Sequence, residues 1–304
     1  MGIWLTLIVA LVPAAAFAAR IDPEVTRGPE GAMVVAHLAE APFPDGKSKW
    51  NDDTVLIFVP AHYRVGPKVS MLVHFHGHQT TAKAGLEGLK LVDQLLLSRQ
   101  EAVLVAPQGP LRAADSSSGK LERPEAFAKL LRAVLKVLRT VRLAPKGCVP
   151  GHVVVTAHSG GFEAAADAAK HGGHPIAQLI LIDALYGRFD DFASWIAGAG
   201  SRRFASIQTE GGRPDERSEK LKARLKRLGV RWLVEEREGQ LSRLDLVRNR
   251  VLFLRSRLGH YECGFAHLQV RDLLMASPFT RRLETDWFRE RARVPRPLDR
   301  WVGR

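Results

Sequence analysis

Short apolar, β-branched runs recur along this chain with helix-like stretches between them, and that alternation constrains the fold more than any other feature. The runs fall at residues 33–37, 55–59, 70–75, 102–106, 152–156, 177–182, 204–208, 232–235 and 251–255. Helical patterns occupy 82–97, 124–141, 160–170, 190–196, 215–228 and 265–275. Strands separated by helices predict an α/β protein whose mostly parallel sheet is covered on both faces. In 124–141 the residues Phe127, Leu130, Leu131, Val134, Leu135 and Leu138 follow the three-four spacing of one buried helical face, so that segment is read as structural.

At 304 residues, 46% of them apolar, the chain is long enough for one large domain with a full core. Residues 1–18 hold no charged side chain and carry an apolar run followed by Pro13 and Ala16-Phe17-Ala18, the pattern of a signal peptide cleaved before Ala19. The run is short for a membrane span, so membrane contact is confined to an uncleaved signal or a basic surface. The expected organisation is a signal at 1–18, one α/β domain over 19–280, and an arginine-rich tail over 281–304, with export to the periplasm or medium.

The formal charge of +13 gathers at 220–227 and in that tail, and it suits an anionic envelope polymer better than a specific nucleic acid. Cys148 and Cys263 are expected to remain free. One precedes the strand at 152–156 and the other follows the strand at 251–255, which puts about 15 Å or more between them.

Chemistry concentrates at Ala157-His158-Ser159-Gly160-Gly161, where the run 153–156 turns abruptly into an alanine-rich helix. A serine hydroxyl becomes an effective nucleophile only when exposed, beside a general base, and beside donors for the oxyanion it creates. A tight strand-to-helix turn supplies the exposure and, through the amide of Gly160, one donor. Small residues two before and two after the serine let helix and strand approach, and Ala157 and Gly161 meet that need. The run 70–75 leads into His76-Gly77-His78, where an amide of Gly77 or His78 is placed to be the second donor.

The base is expected after a late strand, which selects His260, with His267 as the alternative. A carboxylate must orient that imidazole. Asp183 ends the apolar strand after the serine, and Glu210 holds the equivalent place one strand later. A different chemistry is also open, because His74, His76 and His78 alternate as zinc ligands can on a continuous strand, although Gly77 interrupts it. The primary reading needs no metal and no cofactor.

In that order, the His-Gly loop, elbow serine, strand-end acid and late histidine resemble the α/β-hydrolase superfamily over about residues 30–279. Ala157-His158-Ser159-Gly160-Gly161 looks like the alanine variant of the elbow in small bacterial lipases, and Leu181-Ile182-Asp183-Ala184 is similar to the early-acid placement in pancreatic-type lipases. The resemblance implies a sheet of about eight strands and hydrolysis of a small-molecule or lipid-like ester through an acyl-enzyme. Alternatives are an amidase or peptidase with the same three residues, and a non-catalytic envelope protein on the same scaffold.

Overall fold

The computed structural model describes residues 22–198 and 200–280. The expected signal at 1–18 and the tail at 281–304 lie outside the described residues. Ten strands form one sheet: β1 (Glu24–Gly28), β2 (Gly31–His37), β3 (Thr54–Pro60), β4 (Lys68–Phe75), β5 (Val103–Pro107), β6 (Val149–His158), β7 (Gln178–Ile182), β8 (Arg203–Thr209), β9 (Leu233–Glu235) and β10 (Val251–Ser256). Their spatial order is β1-β2-β3-β5-β4-β6-β7-β8-β10-β9. The contacts β1–β2, β2–β3 and β3–β5 are antiparallel, and every later neighbour is parallel.

The sheet therefore has ten strands where about eight were expected. β1, for which the sequence carried no expectation, is exposed along its whole length, so it lacks the inward-facing apolar positions that betray a strand.

The helices are α1 (Ala82–Gly88), α2 (Leu91–Ser98), α3 (Ala126–Thr140), α4 (Phe162–His171), α5 (Phe189–Ala197), α6 (Arg213–Arg227), α7 (Arg243–Arg248), α8 (Glu262–Phe265) and α9 (Gln269–Met275). Alternation along the strands divides the core into two layers. Val153, Val155 and Ala157 of β6 face the layer that contains Phe127, Leu131 and Leu138 of α3. Val154 faces the layer that contains Leu86 of α1, Leu95 of α2 and Leu273 of α9. The six apolar residues predicted to face inward from α3 are all buried. Truncating one of them, as in Leu131→Ala, is expected to cost about 2–5 kcal/mol.

Two expected helices are each broken in two. The pattern at 82–97 is interrupted at Lys90, whose backbone is left-handed (φ 48°), and this turn seats α2 where the Gln94 carboxamide donates to the carbonyls of Leu89 and Gly264. The pattern at 265–275 is interrupted at Leu268 (φ 58°), between α8 and α9. Cys148 and Cys263 are both free and buried, as the spacing argument requires.

Candidate active site

β6 ends at His158, and the chain then reverses through Ser159 and one turn of 3-10 helix into α4. Ser159 has φ 49°, a left-handed conformation that a non-glycine residue adopts only under constraint from its surroundings. The constraint is steric. A β-carbon on Gly161 would approach the Phe75 carbonyl to 2.5 Å, and one on Gly77 would lie 2.7 Å from the β-carbon of Ser159. Both glycines are therefore required by close backbone approach, and Ala157, fully buried between Phe75 of β4 and Leu181 of β7, completes the small-residue pattern. The Ser159 hydroxyl is half-buried and has no hydrogen-bond partner among the described residues.

Asp183 follows β7 directly and also has a left-handed backbone, φ 42°. Its amide donates to the Ile207 carbonyl at 2.8 Å, and its Oδ1 accepts the Thr209 amide at 3.0 Å. Its other oxygen faces His260 Nδ1 at 2.5 Å. A carboxylate can only accept there, so Nδ1 carries the proton and Nε2 keeps a lone pair. Asp183 is buried, whereas the His260 side chain is 39% exposed, which leaves the lone-pair edge within reach of solvent.

The competing residues are placed elsewhere. Glu210 pairs with Arg257 at 3.3 Å, both largely exposed, and His267 pairs with Glu238 at 2.8 Å. The imidazoles of His74, His76 and His78 do not converge on a shared point. His74 Nδ1 meets Thr156 Oγ1 at 3.0 Å in the core, His78 Nε2 meets Ser116 Oγ at 2.6 Å, and no group of three metal-ligating side chains occurs among the described residues.

His76 instead shapes the loop beside the serine. Its Nε2 accepts the Gly109 amide at 2.9 Å, which leaves Nδ1 to donate to the Gly77 carbonyl at 2.8 Å. In a trans peptide, holding that carbonyl turns the amide of His78 to the opposite side. The amides of Gly77 and His78 donate to no acceptor among the described residues. The His78 ring covers Gly160 so closely that a β-carbon there would lie 2.2 Å from Cδ2. Behind the site, Arg188 joins Asp167 (2.6 Å), Glu163 (2.5 Å) and Asp191 (2.6 Å), tying the segment after Asp183 to α4. These carboxylates hold the guanidinium above its already high ordinary pKa against the opposing effect of burial. Leu185 and Phe192, which follow Asp183, pack into the core.

One residue of the site went unassigned at the level of sequence. His158, the variable position of the A-x-S-x-G pattern, is buried beneath Ser159, its ring 4.4 Å from that of His260 and 4.4 Å from that of Tyr261. Its Nε2 lies 3.1 Å from the His260 carbonyl. The only sequence signal was its position beside the serine.

Solved structures superimpose on this fold along nearly their whole length. A ferulic acid esterase aligns at TM-score 0.52 with 14% identity, covering 84% of this chain and 99% of that one. The chain has the α/β-hydrolase fold. An S-formylglutathione hydrolase from Agrobacterium tumefaciens, also an α/β-hydrolase-fold match, aligns at TM-score 0.52 with 12% identity over 84% of this chain and 99% of that one. A fluorophosphonate-binding serine hydrolase of Staphylococcus aureus aligns at 0.50 with 7% identity over the same shares. No protein-family model and no curated protein matches the sequence, so the likeness is one of α/β-hydrolase fold.

Proposed function

We propose that this chain is a serine hydrolase that cleaves carboxylic esters through an acyl-enzyme, with Ser159 as nucleophile, His260 as general base and Asp183 as the acid that orients it. The observation that carries the reading is the 2.5 Å contact between Asp183 and His260 Nδ1 at the strand ends beside a serine on a constrained elbow. His260 Nε2 takes the Ser159 proton as Oγ bonds to the ester carbonyl carbon. The Gly160 amide and that of Gly77 or His78 stabilise the oxyanion. Collapse of the tetrahedral intermediate breaks the ester C–O bond, and His260 returns the proton to the departing alkoxide. Water, deprotonated by the same nitrogen, then releases the acid and restores Ser159.

The esterase names among the matching folds support an ester over an amide as substrate. Export, directed by residues 1–18, and attraction of the basic surface to an anionic envelope polymer belong to the same proposal. The test is labelling by a fluorophosphonate together with turnover of p-nitrophenyl acetate. Wild type is expected to do both and Ser159→Ala neither; turnover by Ser159→Ala at the wild-type rate would overturn the assignment.

A further inference from the structure

The catalytic reading leaves one group at the centre of the site without a role. His158 lies directly before the nucleophile, buried, and touches both loops that the reaction requires. On one side its Nδ1 faces the loop that carries the oxyanion donors, close enough that a β-carbon on Gly77 would come within 3.1 Å of it. On the other side its Nε2 meets the carbonyl of His260 itself. A carbonyl can only accept, so Nε2 carries the proton and the ring is held as one neutral tautomer. Its face lies against the His260 ring (4.4 Å, 45°), and Tyr261 lies against it too (4.4 Å, 38°). Tyr261 in turn packs near Gly88 at the end of α1, where a β-carbon would approach its ring to 3.2 Å.

Resting on the serine-hydrolase reading, we infer that His158 is a positioning residue for the general base: its Nε2–H holds the His260 main chain and its ring face sets the tilt of the His260 imidazole. The geometry assigns this role because His158 meets both the carbonyl and the ring of His260, whereas other ties of the loop after β10, Gln94 to the Gly264 carbonyl and the Cys263 amide to the Gly259 carbonyl, do not touch the imidazole. The His260 side chain has one strong tether, Asp183, and a single hydrogen bond through Nδ1 leaves the ring free to pivot about that contact. The contact on the ring face limits that freedom, and the bond to the His260 carbonyl, which Cys263 Sγ also approaches at 3.5 Å, fixes the main chain from which the ring projects. A misplacement of about 1 Å in a reacting group can cost about a hundredfold in rate, so the constraint is catalytically significant.

The same placement demands that His158 stay uncharged. His74, His76, Asp183, His260 and Tyr261 are the titratable groups around it, and a second imidazolium here would oppose the one that forms on His260 during catalysis. Burial, and then the neighbouring His260, push its pKa down to about 4, so His158 stays uncharged at neutral pH.

The test separates the two contacts. His158→Phe keeps an aromatic face and loses the donor, while His158→Gln keeps a donor and loses the face. Both are expected to lower kcat for p-nitrophenyl acetate by about ten- to hundredfold with KM within twofold, and to slow fluorophosphonate labelling in proportion. Full kcat in both folded variants overturns the inference. For variants that fail to fold, ¹⁵N-imidazole spectra of wild type decide: a neutral Nε2–H tautomer persisting to about pH 4 supports it. An Nδ1–H tautomer, or titration near pH 6.5, overturns it. Absence of labelling in wild type would instead remove the serine-hydrolase reading, a failure distinct from normal labelling in the His158 variants.

Discussion

The two ends of the parallel strands carry different kinds of surface. At the carboxyl ends of β6, β7 and β10 lie Ser159, Asp183 and His260, two of them with left-handed backbones and all of them crowded by neighbouring loops. At the amino ends of β4, β6, β7 and β8 lies a hollow of about 1170 Å³ lined by Arg64, Lys68, Arg99, His152 and Arg202, with Glu101 among them. This hollow lies at the end without the constrained elbow. The hollow and the proposed chemistry separate here because the carboxyl-end loops aim polar side chains at one another. Parallel strands bring their carboxyl-end loops together, and the backbone strain stored there is supported by the core beneath.

Breaking the carboxyl-end constellation is expected to have the largest effect. Asp183→Asn keeps the shape of the site but removes the charge that fixes the His260 tautomer, and should lower kcat by about ten-thousandfold. Glu210→Gln, at the analogous position one strand later, should leave kcat within about twofold, because Glu210 pairs with Arg257 near the surface. Steady-state kinetics on the two variants check this directly. Equal losses would mean that the Asp183–His260 contact does not set the base.

Next in size is the loop proposed to carry the oxyanion donors. Gly77→Ala places a methyl against the β-carbon of Ser159 and the ring of His158, neither of which can retreat. About a hundredfold loss of kcat is expected, the cost of one displaced donor. Gly160→Ala collides instead with the exposed His78 ring, which can swing away at the expense of its hydrogen bond to Ser116. Its loss should be smaller, and rates measured side by side test the ranking.

How much of this was legible in the sequence follows from what each element depends on. The elbow is local, so Ala157, Ser159 and Gly161 could be read from a few adjacent residues. Asp183 and Glu210 each stand at the end of a strand, so the local pattern could rank Asp183 first without deciding between them, and the approach of the loop after β10 distinguishes them. His158 was silent for the same reason, since its partners arrive about a hundred positions later in the chain. The broken helices were hidden by continuous periodicity. Lys90 and Leu268 turn left-handed although neither is the glycine that marks such a turn.

A smaller effect should appear in stability. In the unfolded chain His158 protonates near its ordinary value of 6.5, but in the folded protein only near 4, so acidification loads the unfolded state first. Stability is therefore fully present above pH 6.5 and declines as the pH falls toward 4, by about 2 kcal/mol at pH 5 from this residue. Burial pushes His74 and His76 in the same direction. Urea unfolding at pH 7 and pH 5 measures the difference, and His158→Phe should flatten it.

The smallest effect is expected at the other end of the sheet. Arg64 and Lys68 are exposed on the rim of the hollow, where water already screens their charge. Arg64→Ala with Lys68→Ala should change kcat and KM by less than about twofold and stability by less than about 0.5 kcal/mol. Neither side chain supports the strand ends at which Asp183 and His260 meet. A tenfold loss of activity in the folded double variant would break the comparison: the amino-end hollow would then be coupled through the sheet to the proposed catalytic end. With activity intact, the length of the parallel strands insulates one end from the other, and the chemistry resides where the backbone is constrained.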